Sequence, residues 1–162
     1  MSKGKNQIRM FKKFIYVGLL ATIIGIFGIL ALQYKLKIGP VILAMTIIPI
    51  VGLLLAKRSI KGAIPDLIFG TIDTGLLTIP ALWGGLIFGV VGAIAGGVIG
   101  DSITDAIAGF FEGGIAKWLR EKGIDESREP VTTSLGKMAG CLFGSGIVLT
   151  IAFIFGINPE FN

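Results

Sequence analysis

Five carboxylates, Asp66, Asp73, Asp101, Asp105 and Glu112, stand inside the most apolar and glycine-rich stretch of this 162-residue chain. The run from Ile64 to Trp118 around them is mostly Leu, Ile, Val, Phe, Ala and Gly. A carboxylate at the centre of a membrane helix costs about 2.5–3.5 kcal/mol on insertion scales, so intramembrane acids mark ion sites or ion pathways by default. Carboxylates joined by hydroxyls and backbone carbonyls form an oxygen-only set, which suits hard cations. Thr74 and Thr104 stand close enough in sequence to contribute such hydroxyls. Each acid also has a plainer role to weigh. Asp66 follows Pro65, and a carboxylate at a helix start caps the N-terminus. Glu112 falls where a helix would enter the cytoplasmic interface. For Asp73, Asp101 and Asp105 the plain alternative is a salt bridge to Lys137.

Helical phase groups these residues. At 100° per residue, Asp105 lies about 40° from Asp101 and Glu112 about 20° from it, so the three make one stripe. Gly85, Gly89, Gly92, Gly96 and Gly100 make a second stripe, offset by roughly 150°. One face can then press on a neighbouring helix while the other lines a polar cavity. Asp66, Gly70 and Asp73 share a face at i, i+4 and i+7, with Thr74 beside them. Two acidic helix faces joined by a short turn can converge on one cation.

The elements that must position them read as membrane spans. Phe14–Leu32 is long enough to cross a bilayer, which takes about 20 apolar residues. A second span runs from about Ile38 to Ala56, with Pro40 tolerated in its first turn and Pro49 predicting a kink. A third, from about Pro65 to Leu82, ends near Thr78-Ile79-Pro80-Ala81, and Trp83-Gly84-Gly85 reads as the turn after it. A fourth element stays helix-compatible from about Gly85 to Leu119. At 1.5 Å per residue it is longer than the hydrocarbon core, so it protrudes or breaks near Gly96-Gly97 or Gly113-Gly114. A polar loop over about 120–130 precedes a last span, about Val131 to Ile157. In that span Gly136, Gly140 and Gly144 form a small-residue packing stripe, for contacts within or between subunits.

Charge orients the spans. A cytoplasmic N-terminus puts Lys3, Lys5, Arg9, Lys12, Lys13, Lys57, Arg58, Lys61, Lys117, Arg120, Lys122 and Arg128 inside. Only Lys35 and Lys37 then lie outside, with Lys137 near the last span. The expected fold is an all-α membrane protein of five spans, N-terminus in. It divides into a two-helix hairpin over residues 1–61 and a three-helix unit over residues 62–162 that carries the acids. The basic N-terminal segment runs into the first span without a small-residue cleavage site, and reads as a cytoplasmic anchor rather than a removed signal.

Composition narrows the function. Hydrophobic residues make up 53% of the chain and charged ones 15%, against about a quarter charged in a soluble domain. The net charge of +5 sits in flanks and loops, with no basic patch interleaved with aromatics, so nucleic acid is not an expected partner. The chain has one cysteine, Cys141, and no histidine, which removes His-based zinc sites, Cys–His nucleophiles and His-dependent triads. Cys141 reads as a small packing residue. No phosphate-cradling GxxxxGK[ST] occurs, and GDSITDAIAGFF lacks the longer Asp-rich signature of a membrane phosphatidyltransferase. No enzymatic activity is expected.

Three blocks carry a family resemblance. FGTIDTGLL supplies Gly70 and Asp73. IGDSITDAIAGFFEG supplies Gly100, Asp101, Asp105, Gly109 and Glu112. SLGKMAGCLFG supplies Leu135, Gly136, Lys137, Gly140 and Gly144. In order and spacing they resemble the transmembrane protein 65 family of mitochondrial inner-membrane and prokaryotic proteins, over roughly Ile64–Ile154. Thr74 and Asp101 stand where that family carries Asn, and the first two spans lie outside the likeness. The resemblance implies sodium–calcium exchange or its support, with Ca²⁺ and Na⁺ as transported ions.

The expectation is therefore a multi-pass protein of the cell membrane that carries a cation, in Na⁺-coupled Ca²⁺ transport. Asp73, Asp101, Asp105 and Glu112 would be ligands, with Thr74 and Asp66 in supporting places. Five spans give little material for alternating access, so a homodimer packed through the glycine stripes is expected. The rivals are a passive cation channel with an acidic selectivity ring and a non-transporting membrane subunit that regulates a partner.

Overall fold

The computed structural model describes residues 2–123 and 129–157, without the side chains of residues 2–5, 108–113, 115, 116, 119 and 120. All regular structure among the described residues is α-helical: α1 (Ser2–Gln33), α2 (Ile38–Met45), α3 (Ile47–Leu55), α4 (Ile60–Glu121) and α5 (Pro130–Ile154). Four stretches are long and apolar enough to cross a membrane: Asn6–Gln33, Ile38–Leu55, Ile60–Ile107 and Pro130–Ile154. Their outer faces stay apolar. Phe14, Phe88, Val90 and Val91 are each more than 70% exposed. A hydrophobic surface this continuous is matched by lipid, not water.

α1 starts at Ser2, so the basic segment ahead of the expected span is a continuation of the same helix. It ends at Gln33, and Lys35, with a φ of 50°, lets Leu36 N–H return to the Ala31 carbonyl. The expected second span is broken in two. Thr46 sits between α2 and α3, and Pro49 lies one turn further on, the predicted kink residue. Lys57, with φ 54°, closes α3 by the same left-handed device.

α4 is two helices meeting at Gly89, whose φ of 63° and ψ of −148° are not helical. Only glycine adopts that conformation at little cost. The chain reverses there. A methyl group built on Gly84 would strike the Gly92 carbonyl, one on Gly96 would strike the Pro80 carbonyl, and one on Gly100 would meet Pro80 Cγ at 2.6 Å. As residue numbers fall along residues 60–88, their partners rise along residues 90–121, so the two limbs are antiparallel. This corrects two expectations. Trp83-Gly84-Gly85 is helix and not the turn, and the backbone runs through Gly96-Gly97 and Gly113-Gly114 without a break. Gly84 is a contact residue, spent on bringing the limbs together.

The first limb packs along α5. Gly140 abuts the Leu67 carbonyl, Gly144 the Thr71 carbonyl, and Gly70 the backbone at Lys137 and Cys141. The stripe Gly136, Gly140, Gly144 thus makes a contact within the subunit. On another side of α5, Gly146 receives Leu43 of α2, and Gly39 of α2 meets the backbone of Leu149 and Thr150. Leu53, Ala63, Val131 and Leu135 form the buried core, with Tyr16, Val17, Leu20 and Ala56 against it. α1 is the outlying helix, tied in by the Tyr16 hydroxyl donating to the Gly52 carbonyl at 2.7 Å.

Candidate metal centre

The Gly89 reversal brings Asp73 on the first limb opposite Asp101 and Asp105 on the second. One carboxylate oxygen from each lies within 4.8 Å of the others. Asp73 and Asp105 are each 16 residues from the turn, about 24 Å along a helix, and Asp101 is 12 residues away, about 18 Å. Equal arm lengths are why residues far apart in sequence meet. The glycine stripe sets how closely. With hydrogen atoms at 84, 92, 96 and 100, backbone touches backbone, and short Asp side chains can span the remaining gap.

Asp73 is half-buried, and its Oδ1 is buried without a hydrogen-bond partner among the described residues. Asp101 and Asp105 are exposed. At an effective dielectric of about 20, two unit charges 4.8 Å apart repel by about 3 kcal/mol. A cation seated among the three oxygens would offset that repulsion. The three oxygens stand close enough together to share one hard cation.

The other expected residues fall elsewhere or only nearby. Asp66 is seven positions into α4, so it does not cap that helix; the first turn of α4 carries no acid. It is half-buried and faces α5, where a methyl on Gly136 would come 3.0 Å from its Cβ. It lies outside the group of three. Thr74 follows Asp73, and its carbonyl accepts from Thr78 Oγ1 of the same helix at 2.6 Å and from Ser145 Oγ of α5 at 3.4 Å. Thr104 is buried at 3% exposure, and its hydroxyl donates to the Asp101 carbonyl at 3.2 Å. That bond steadies the turn carrying Asp101. The Glu112 side chain lies outside the described residues.

Lys137 does not neutralise the cluster. It makes no ion pair with Asp73, Asp101 or Asp105; its Nζ sits 4.5 Å above the centre of the Phe69 ring. A cation over an aromatic face keeps its charge while its stem lies along apolar surface. Salt bridging to Lys137 therefore does not explain the three acids.

A second charged centre was not foreseen. Glu129 caps α5: its Oε2 accepts from the Thr132 N–H at 3.0 Å and from the Thr132 hydroxyl at 3.1 Å. Its Oε1 meets Lys13 Nζ at 2.6 Å and an Arg58 guanidinium nitrogen at 3.3 Å. Burial pushes this carboxyl up, but Lys13, Thr132 and Arg58 outweigh it, and the net pKa is lowered. The signal was readable as Glu-Pro-Val-Thr, an acceptor followed by proline at the first helical position.

No protein-family model, no curated protein and no solved structure matches the chain.

Proposed function

We propose that this protein is a membrane cation transporter that binds a hard divalent cation, Ca²⁺, between Asp73, Asp101 and Asp105. The observation that carries the reading is the meeting of three carboxylates from two glycine-packed limbs within 4.8 Å. In this reading each α4 limb crosses the bilayer, giving five spans with the N-terminus cytoplasmic and the Gly89 turn outside. The acids then sit about 18–24 Å from that turn, within a hydrocarbon core of about 30 Å. Asp73 supplies the fixed, half-buried ligand. Asp101 and Asp105 supply two ligands one turn apart, open to an approaching ion. Ca²⁺ takes 6–8 oxygens, so water, backbone carbonyls, Thr74 or Glu112 complete the shell.

Na⁺ is the coupling ion, entering the same oxygens in exchange for Ca²⁺, with the three-block likeness to the transmembrane protein 65 family as its support. The site is the cell membrane of a prokaryote or its mitochondrial counterpart, and the working unit is a homodimer. The glycine stripes are spent within the subunit, so other surfaces would form that dimer.

The test is purified protein in liposomes, with Ca²⁺ efflux followed under an opposing Na⁺ gradient. Na⁺-dependent Ca²⁺ flux is expected. Flux indifferent to Na⁺ would favour the channel reading. Absence of both flux and Ca²⁺ binding would sink the transporter. Asp105→Asn should weaken Ca²⁺ binding at least tenfold, and unchanged affinity would remove Asp105 from the site.

A further inference from the structure

The break between α2 and α3 also holds a buried oxygen atom without a hydrogen-bond partner among the described residues. Thr46, at the break, is 6% exposed, and its Oγ1 is buried with no hydrogen-bond partner. Pro49 has no N–H, so the carbonyl four residues back, that of Met45, loses its helical donor. Met45 is 7% exposed and Pro49 is fully buried, so neither lipid headgroups nor bulk water reach this carbonyl. The turn is also tightened: Thr46 N–H bonds the Leu43 carbonyl at 3.2 Å, three residues back. Such a break puts an unpartnered hydroxyl and a carbonyl without its helical donor at one buried junction.

The neighbouring helix offers no donor. Gly39 meets Leu149 and Thr150, Leu43 meets Gly146, and Gly52 meets Leu135. That antiparallel register sets the break against Ala139–Leu142 of α5. Cys141 in that stretch turns its sulfur to Gly70 on α4. The Tyr16 hydroxyl, from α1, is already committed to the Gly52 carbonyl.

We propose that the α2–α3 break binds one ordered water molecule, which donates to the Met45 carbonyl and exchanges a hydrogen bond with the Thr46 hydroxyl. Buried polar groups are satisfied by protein or by ordered water in the large majority of cases, and a bound water needs two to four polar partners. Proline breaks in membrane helices are repaired in this way. A hard cation is a poor occupant. Two neutral oxygens with no carboxylate in register fall well short of the 6–8 oxygens that Ca²⁺ takes. The site shares no residue with the acid cluster, which is built from α4 alone.

The test is a mutant cycle on the full chain in lipid bilayers, read by thermal midpoint and by water-edited solid-state NMR. Thr46→Val removes the hydroxyl at constant shape and should lower the midpoint by about 2–4 °C. Thr46→Ser should restore it. Pro49→Ala returns an N–H to Met45, so in that background the Thr46→Val shift should fall to less than half. Coupling of this kind appears only between groups that share a partner. The Met45 and Ile47 amides should receive magnetisation from bound water in the wild type and lose it in Thr46→Val. A Thr46→Val protein as stable as wild type or more so would overturn the proposal, since deleting a dry, unpaired hydroxyl is favourable. Additive shifts would also overturn it. So would a wild-type midpoint that rises with Na⁺ over choline and stops doing so in Thr46→Val, which would mark an ion instead.

Discussion

Gly96 and Gly97 are adjacent, yet a methyl group should act on them in opposite directions. At Gly96 the new carbon strikes the Pro80 carbonyl and comes 3.2 Å from Ala81 Cα, both backbone and unable to rotate away. At Gly97 its nearest neighbour is Ala81 Cβ at 4.0 Å, an ordinary contact. Replacing glycine by alanine in a helix gains about 0.8–1 kcal/mol of propensity. Overpacking against backbone costs about 1–3 kcal/mol. Gly97→Ala should therefore be neutral or stabilising by up to about 1 kcal/mol, and Gly96→Ala should lose up to about 2 kcal/mol net. The propensity gain is common to both, so they differ by the overpacking cost, and at about 2–4 °C per kcal/mol the two midpoints should stand roughly 2–12 °C apart. The functional effect should be larger. To relieve the clash the limbs must separate by about 1 Å, which widens the gap between Asp73 and Asp105 relative to a Ca–O distance of about 2.3–2.6 Å. Thermal unfolding in detergent and calorimetric Ca²⁺ titration of both variants test this. Equal midpoints and equal Ca²⁺ affinity for the two variants would refute limb packing through Gly96.

Three further outcomes follow from named contacts. Glu129→Gln should cost about 1–2 kcal/mol through the weakened cap and the lost pairing with Lys13 and Arg58, measured as a drop in midpoint. The same carboxyl has a lowered folded pKa, so its contribution is complete above the ordinary value of 4.5 and is lost as pH falls through the folded one. A wild-type stability profile that shows no acid loss attributable to Glu129, judged against Glu129→Gln, would contradict this. Thr78→Val removes the hydroxyl that bonds the Thr74 carbonyl at 2.6 Å and Ser145 Oγ at 2.8 Å. A bond between membrane helices averages about 0.6 kcal/mol and only the Ser145 bond crosses to α5, so a fall of about 0.6 kcal/mol is expected, and none would mean the contact is idle. Tyr16→Phe should loosen α1, with faster hydrogen exchange at residues 13–20 and little change in α5.

The residues that converge were legible in the sequence because their spacing is periodic. Asp101 and Asp105 share one face of the second limb and meet Asp73 of the first, whereas Asp66, in phase with Asp73, turns to α5. Pro49 announced the broken second span. The turn was misplaced because composition and contact pull glycine in opposite directions. Trp83-Gly84-Gly85 has the composition of a turn, yet Gly84 is needed where the limbs touch, and the reversal falls to Gly89 between Phe88 and Val90. Propensity alone cannot rank three glycines that differ only in tertiary environment. Asp66 looked like a cap because Pro65 suggested a helix start, but the helix begins at Ile60 and carries Pro65 within it. Lys137 looked like a counter-charge by depth alone. Only the rotation of α5 shows that it turns to Phe69.

The hairpin is mechanically lopsided. The contacts with α5 described above all fall on the first limb, which holds Asp73 in place. The second limb rests on the first largely through glycines, with the small side chains of Pro80, Ala81 and Ala93 at the seam. Gly89 is thus the fulcrum of a lever some 18–24 Å long that ends in Asp101 and Asp105. A swing of about 5° displaces those carboxylates by about 1.6–2.1 Å, given that arm. That travel is comparable to one metal–oxygen bond. In the proposed transporter, a rotation this small would be enough to assemble or dismantle the coordination shell.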